Sequence, residues 1–251
     1  MLKQKYFLTN FFILSAEKQP IKSSWRKIEW LRILQHFKIA AKRFCEKESE
    51  LYRSELFGVT DGKAIGTFVE HLFQEYLKQR YEMSVGSSAN GLDLPSVNTD
   101  IKVTSIKQPQ SSCPFSDSKQ KIYGLGYNLI VFVYQKLDDI KSKKGCLNFL
   151  SCSFVEASRT ADYQTTTGIL SIINNNGNAD DIFAFLMDHK IPSAEVSLMN
   201  LAKDILKNPP QVGYLTISNA LQWRLQYSRI VNLSDTVDGI TQIIKYSDKE
   251  N

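Results

Sequence analysis

The chain has 251 residues, 43% of them hydrophobic and 23% charged, with 31 Lys+Arg against 26 Asp+Glu for a formal net charge of +5. That apolar content can bury a proper core, which excludes a disordered chain, a collagen and a disulfide-stapled miniprotein. The basic surplus is mild and leans only weakly toward a polyanionic partner.

Lys3 and Lys5 precede an apolar run from Tyr6 to Leu14 that ends at Ser15-Ala16, the outline of a secretory signal. Thr9 and Asn10 interrupt it and a basic helix follows directly, so the expectation is a buried N-terminal strand or helix instead. No other stretch approaches the roughly 18 apolar residues that span a membrane. From Ser24 to about Lys47, Trp25, Ile28, Leu31, Leu34, Phe37, Ala41 and Phe44 recur at helical spacing, with Arg26, Lys27, Arg32, Lys38, Lys42, Arg43 and Lys47 on the other face. A second helix starts at Asp61-Gly62, runs through Ile65, Val69, Phe73 and Tyr76, and ends near Tyr81.

The period then changes. Ser96 to Thr104 alternates as a strand with one polar face, and Asn128 to Tyr134 is a continuous apolar run expected to be buried on both faces. A charged turn, Lys136 to Gly145, joins it to a strand from Leu147 to Phe154. Helices are expected from about Asp180 to Lys190 and from about Ser193 to Lys207, each opening on a residue that can cap it. A strand, Gly213 to Ile217, and a mixed segment to Tyr246 complete the chain. With no Gly/Ser/Pro linker and no repeat, one α/β (α+β) domain over residues 1–251 is the simplest architecture, a central mixed β-sheet flanked by helices. Its parts are a helical region to about residue 60, a core from about 61 to 155, and a helix-and-strand region to the end.

The four cysteines, Cys45, Cys113, Cys146 and Cys152, follow no C-x-x-C spacing and pair with only three histidines, so free thiols in a reducing cytoplasm are expected rather than a zinc cluster. The informative segment is Asp93-Leu94-Pro95 followed by Asp100-Ile101-Lys102. Residues two apart in a strand share a face, so Asp100 and Lys102 point one way while Ile101 and Val103 enter the core. A turn around Pro95 could fold Asp93 back beside Asp100. Two carboxylates and an ammonium at one spot suit metal-assisted phosphodiester hydrolysis. A hard cation such as Mg²⁺ needs only one or two protein carboxylates, here Asp93 and Asp100, while Lys102 orients an attacking water or stabilises charge. Glu70 lies on the edge of the buried face of the second helix, with Gly66 one turn earlier, and reaches toward the sheet.

At these residues the chain resembles the PD-(D/E)XK nuclease superfamily, whose signature is an acidic residue followed by Asp/Glu-x-Lys on a strand. The resemblance is closer to the mismatch-repair nicking endonuclease MutH and its restriction-enzyme relatives. These similarly have a glycine four residues before a helix glutamate (here Gly66 and Glu70), then Asp-x-Pro (Asp93 to Pro95), then seven residues after that Asp the acid-x-Lys strand (Asp100 to Lys102). Aspartate at position 100 where MutH has glutamate, and a longer stretch between Glu70 and Asp93, are the departures. The resemblance spans roughly residues 60 to 107 and implies a restriction-endonuclease-like fold. It implies Glu70, Asp93 and Asp100 as acidic site residues and Lys102 as catalytic lysine.

It further implies a Mg²⁺-dependent, sequence-specific type II restriction endonuclease leaving 5′-phosphate and 3′-hydroxyl ends, with a companion methyltransferase protecting host DNA. The alternatives are a repair nickase with the same chemistry and a non-catalytic DNA-binding module. Symmetric cutting of a palindrome would favour a homodimer. Two polar segments are candidate contacts to double-stranded DNA: Lys107 to Lys121, through Lys107, Gln108, Gln110, Lys119 and Lys121, and Ser158 to Gly168, through Arg159 and Gln164. Gly86 to Gly91 lacks the Gly-Lys-Ser/Thr of a P-loop and reads as a flexible approach to Asp93.

Overall fold

The computed structural model describes residues 6–7, 23–82, 91–112, 117–218 and 224–246. In chain order its elements are β1 (Tyr6–Phe7), α1 (Ser23–Glu48), α2 (Gly62–Lys78), β2 (Tyr81–Glu82), β3 (Thr99–Ser105), β4 (Gln110–Ser112), α3 (Lys119–Tyr123), β5 (Asn128–Asp139) and β6 (Lys144–Val155). There follow α4 (Tyr163–Asn174), α5 (Ala179–Asp188), α6 (Glu195–Lys207), β7 (Thr216–Ser218), β8 (Arg224–Gln226), α7 (Ser228–Val231) and β9 (Ile240–Ile244). The chain divides into two compact units: Met1–Gln108 with Ile130–Phe154 and Gln242–Asn251, and Pro109–Leu129 with Val155–Thr241.

In the first unit, Asp61 starts α2 by accepting hydrogen bonds from the Lys63 and Ala64 amides, which gives two of the helix's unpaired N-terminal donors a partner. The central sheet has strand order β3-β5-β6-β9. The connection 140–143 between β5 and β6 is too short for a crossover, so the pair forms an antiparallel hairpin. Every residue from Leu129 to Tyr134 is buried, as a continuous apolar run requires. The core that holds α1 and α2 to this sheet is aromatic: Phe44 meets Phe73 at 4.9 Å between ring centroids, and Phe73 meets Phe132 at 5.0 Å with the rings nearly perpendicular. β1 pairs in parallel with β2.

In the second unit, β4, β8 and β7 form a small antiparallel sheet in that order, with Leu225 of β8 opposite both Ser111 and Ile217. Ile122, Ile169, Ile182, Leu186, Leu198, Leu201 and Ile205 pack α3, α4, α5 and α6 together. Asp162 caps α4 through the Thr165 amide, and its other oxygen accepts the Ile217 amide.

Several boundaries differ from the sequence expectation. β3 begins at Thr99 rather than Ser96, because Pro95 to Val97 coil into a short 3-10 turn. The Lys136 to Gly145 turn narrows to 140–143, since cross-strand pairing continues through the charged residues. Ile28 and Leu31 are 60% and 54% exposed, while Trp30 and Ile33 are partly buried against the core and Leu34 fully so. Ser158 to Gly168 is not a loop: a 3-10 turn, Ala157–Arg159, leads into α4. The helix from Asp180 is capped earlier, by Asn178 in a capping box with Asp181, and α6 follows Ala194 without a side-chain cap. Apart from Tyr6 and Phe7, the apolar run to Leu14 lies outside the described residues, as do residues 86–90 and Cys113. Cys45, Cys146 and Cys152 are buried free thiols. Among the described residues no helix is long and apolar enough to cross a membrane.

Candidate active site

The segment from Asp93 to Lys102 closes on itself. Leu94 and Thr99 exchange both backbone hydrogen bonds, at 3.0 and 3.1 Å, across the Pro95–Val97 turn. Asn98 ends that turn at φ +47°, a left-handed conformation that asparagine tolerates better than most residues. Thr99 locks it by donating its hydroxyl to the Val97 carbonyl at 2.8 Å, and Leu94 and Val97 are fully buried beneath it. The consequence is chemical: Asp93 is returned to the side of β3. One of its carboxylate oxygens accepts the Ile101 amide at 2.8 Å, and its side chain is hydrogen-bonded to that of Asp100.

Asp100 is 7% exposed, and its Oδ2 lies 2.6 Å from Lys102 Nζ. Burial, then the hydrogen bond to Asp100, push the Asp93 carboxyl up to about 8, against the Ile101 amide, which pulls it down. The charges of Asp100 and of Glu70 add to the rise. Glu70 is half-buried on α2, which packs on β3. It is felt at the pair electrostatically, without being one of a tight trio: no group of three or more His, Cys, Asp or Glu side chains spaced to hold a metal occurs among the described residues.

Sequence reading missed Gln74. One turn beyond Glu70 and buried, it donates its side-chain amide to the Asp93 backbone carbonyl at 3.4 Å, tying the turn to α2. A buried polar residue in an otherwise apolar helical stripe was the available signal. The donor set fits a hard divalent cation. Two carboxylates are driven together at a half-open site, and they have one lysine between them to balance their charge.

The other candidates scatter. Lys107 and Gln108 are exposed just after β3. In the second unit Gln110 is half-buried on β4, Lys119 is exposed on α3 and Gln164 is exposed on α4. Lys121 is 3% exposed, and burial pulls its ammonium down despite the charge of Asp162, so it departs from the solvent-facing phosphate contact its loop position implied. Arg159 is engaged internally, donating Nε to the Asp238 carbonyl at 2.8 Å and Nη1 to the Val212 carbonyl at 3.1 Å.

A mixed α/β chain with a helix-flanked central sheet, with Asp100 on a sheet strand and Asp93 folded back beside it, has the architecture of a restriction-endonuclease-like enzyme. A family model described as type II restriction enzyme NspV matches residues 31–242, a span that includes Glu70, Asp93, Asp100 and Lys102. The type II restriction enzyme NspV of Nostoc sp. (strain ATCC 29411 / PCC 7524) is 52% identical over 190 residues, covering 76% of this chain and 86% of that protein. No solved structure matches. The chain belongs to the NspV family of type II restriction enzymes, which makes it a site-specific deoxyribonuclease.

Proposed function

We propose that the chain hydrolyses phosphodiester bonds in double-stranded DNA at the site formed by Asp93, Asp100 and Lys102, leaving 5′-phosphate and 3′-hydroxyl ends. The observation that carries this reading is the carboxylate pair itself. Burial and then the hydrogen bond to Asp100 push Asp93 up to about 8, and Lys102 lies 2.6 Å from Asp100. Without metal the pair is held by a shared proton and by Lys102, and Mg²⁺ held by Asp93 and Asp100 would take the proton's place. When bound there, Mg²⁺ polarises the scissile phosphate and stabilises charge on the leaving oxygen.

The chain's own groups do the rest. The Ile101 amide fixes one Asp93 oxygen and leaves the other toward Asp100. Lys102, oriented by its ion pair with Asp100, presents a positive charge where charge accumulates on the phosphate, and its ammonium orients the attacking water. Glu70 adds negative potential that favours the cation over an empty pair. The spacing agrees with the PD-(D/E)XK and MutH resemblance. Family membership supports DNA as substrate, a companion methyltransferase guarding host sites, and two copies of the chain for symmetric cutting.

Digestion of a mixed-sequence supercoiled plasmid with Mg²⁺, followed by sequencing of the ends, tests the reading. The expected product is linear DNA with 5′-phosphates at one recurring sequence, and none in the presence of a chelator. Arrest at the open circle would instead make the chain a nickase. Intact plasmid would leave a DNA-binding module.

A further inference from the structure

In the second unit four side chains stack in series. The Arg229 guanidinium lies over the Tyr163 ring at 3.6 Å, Tyr163 meets Tyr214 edge-on at 6.0 Å, and the Arg159 guanidinium is 6.0 Å from the Tyr214 ring. The two arginines at the ends are in opposite states. Arg159 spends its donors on the Asp238 and Val212 carbonyls. Arg229 is half-buried, its Nε is buried without a hydrogen-bond partner, and it forms no ion pair among the described residues. The nearby carboxylate of Asp162 is occupied, by the Thr165 amide and hydroxyl on one oxygen and the Ile217 amide on the other.

A guanidinium removed from water ordinarily gains an anion, because unmet buried donors and an uncompensated charge both cost free energy. Arg229 gains only a ring. Stacking on Tyr163 fixes the plane of the fork, and a guanidinium held in one plane grips phosphate through two hydrogen bonds. Tyr214 backs Tyr163 edge-on, with Arg159 over its own ring. We infer that Arg229, held on Tyr163, is a DNA-backbone contact of this enzyme that binds a phosphate of the duplex. The inference rests on the reading of double-stranded DNA as substrate. It transfers the role expected of Arg159 to an arginine that has donors to spare.

The test uses the full chain with Ca²⁺ in place of Mg²⁺, so that binding is read without cleavage, and two short duplexes, one cleaved by the enzyme and one not. Arg229→Ala is expected to weaken binding to both duplexes about tenfold, the loss of one charge-assisted contact, and to lower the slope of log affinity against log salt by about one. Tyr163→Leu, which removes the ring but no charge, is expected to weaken both duplexes as well. In the wild-type chain, DNA should shield Arg229 from the arginine reagent phenylglyoxal, read by peptide mass spectrometry, a measurement that needs no variant to fold. Equal modification of Arg229 with and without DNA, or an unchanged salt slope in a folded Arg229→Ala, overturns the inference. So does a loss confined to the cleaved duplex, which would make Arg229 a base reader. If the wild-type chain cleaves plasmid while Arg229 stays reactive, this contact alone fails. If it neither binds nor cuts, the reading beneath it fails.

Discussion

On the proposed chemistry, Asp93 is the residue at which function and stability pull in opposite directions. Its carboxyl, pushed up to about 8 by burial and by Asp100, keeps its proton in the folded chain at a pH where the unfolded chain has released it, near 4. The unfolded state therefore binds fewer protons between those values. The stability this group contributes is intact below about pH 4 and lost as pH climbs through about 8. In metal-free protein, Asp93→Asn removes the titration while keeping an acceptor for the Ile101 amide. The variant should melt higher than wild type at pH 8 in a chelator, converge with it toward pH 4, and lose its response to added Mg²⁺. Thermal denaturation at the two pH values reads all three, and a variant that melts lower than wild type at pH 8 contradicts the charge-pair account. Gln74 shows the limit of residue-level reading. Its carbonyl partner on Asp93 lies 19 residues away in sequence, so only the folded turn reveals why an amide is buried there.

At the scale of elements, what local pattern dictates was legible and what a neighbour dictates was not. α2 follows from Asp61 and the stripe Ile65, Val69, Phe73 and Tyr76, and β5 from an apolar run that only a strand covered on both faces can carry. The return of Asp93 beside Asp100 was legible as an option, a turn around Pro95, though not the 3-10 turn that makes it. α4 was not. Its first turns read Tyr-Gln-Thr-Thr-Thr, residues of poor helix propensity, and it forms because Asp162 caps it while Thr165 and Thr166 spend their hydroxyls on Asp162. The outer turns of α1 failed the other way, since a periodic stripe says which face is apolar and not how far its cover extends. The hairpin that carries the site depends on Asn98 in the left-handed region, so a β-branched residue there meets its steric penalty. Asn98→Val should cost about 1–2 kcal/mol in denaturant unfolding and lower cleavage by displacing Asp93, whereas Asn98→Gly should be near neutral in stability. Equal stability of the two variants would remove the turn from the account.

For the whole molecule, the net charge of +5 already includes Asp93 and Asp100, paired at one site, and Glu70, whose charge reaches them from α2. The match to the NspV family runs through residues 31–242 and so takes in parts of both compact units, the first with the acidic pair and the second with the arginine and tyrosine stack. The proposed function rests on one assignment, that Asp100 and Lys102 make the cut. Plasmid cleavage by Asp100→Asn and Lys102→Ala, each first shown to be folded and to bind the duplex, measures it most directly. On the proposed roles of Asp100 as metal ligand and Lys102 as the group that orients the water, each change should slow the rate by roughly a hundredfold or more while binding persists. Cleavage by either variant at near the wild-type rate would place the catalytic site elsewhere.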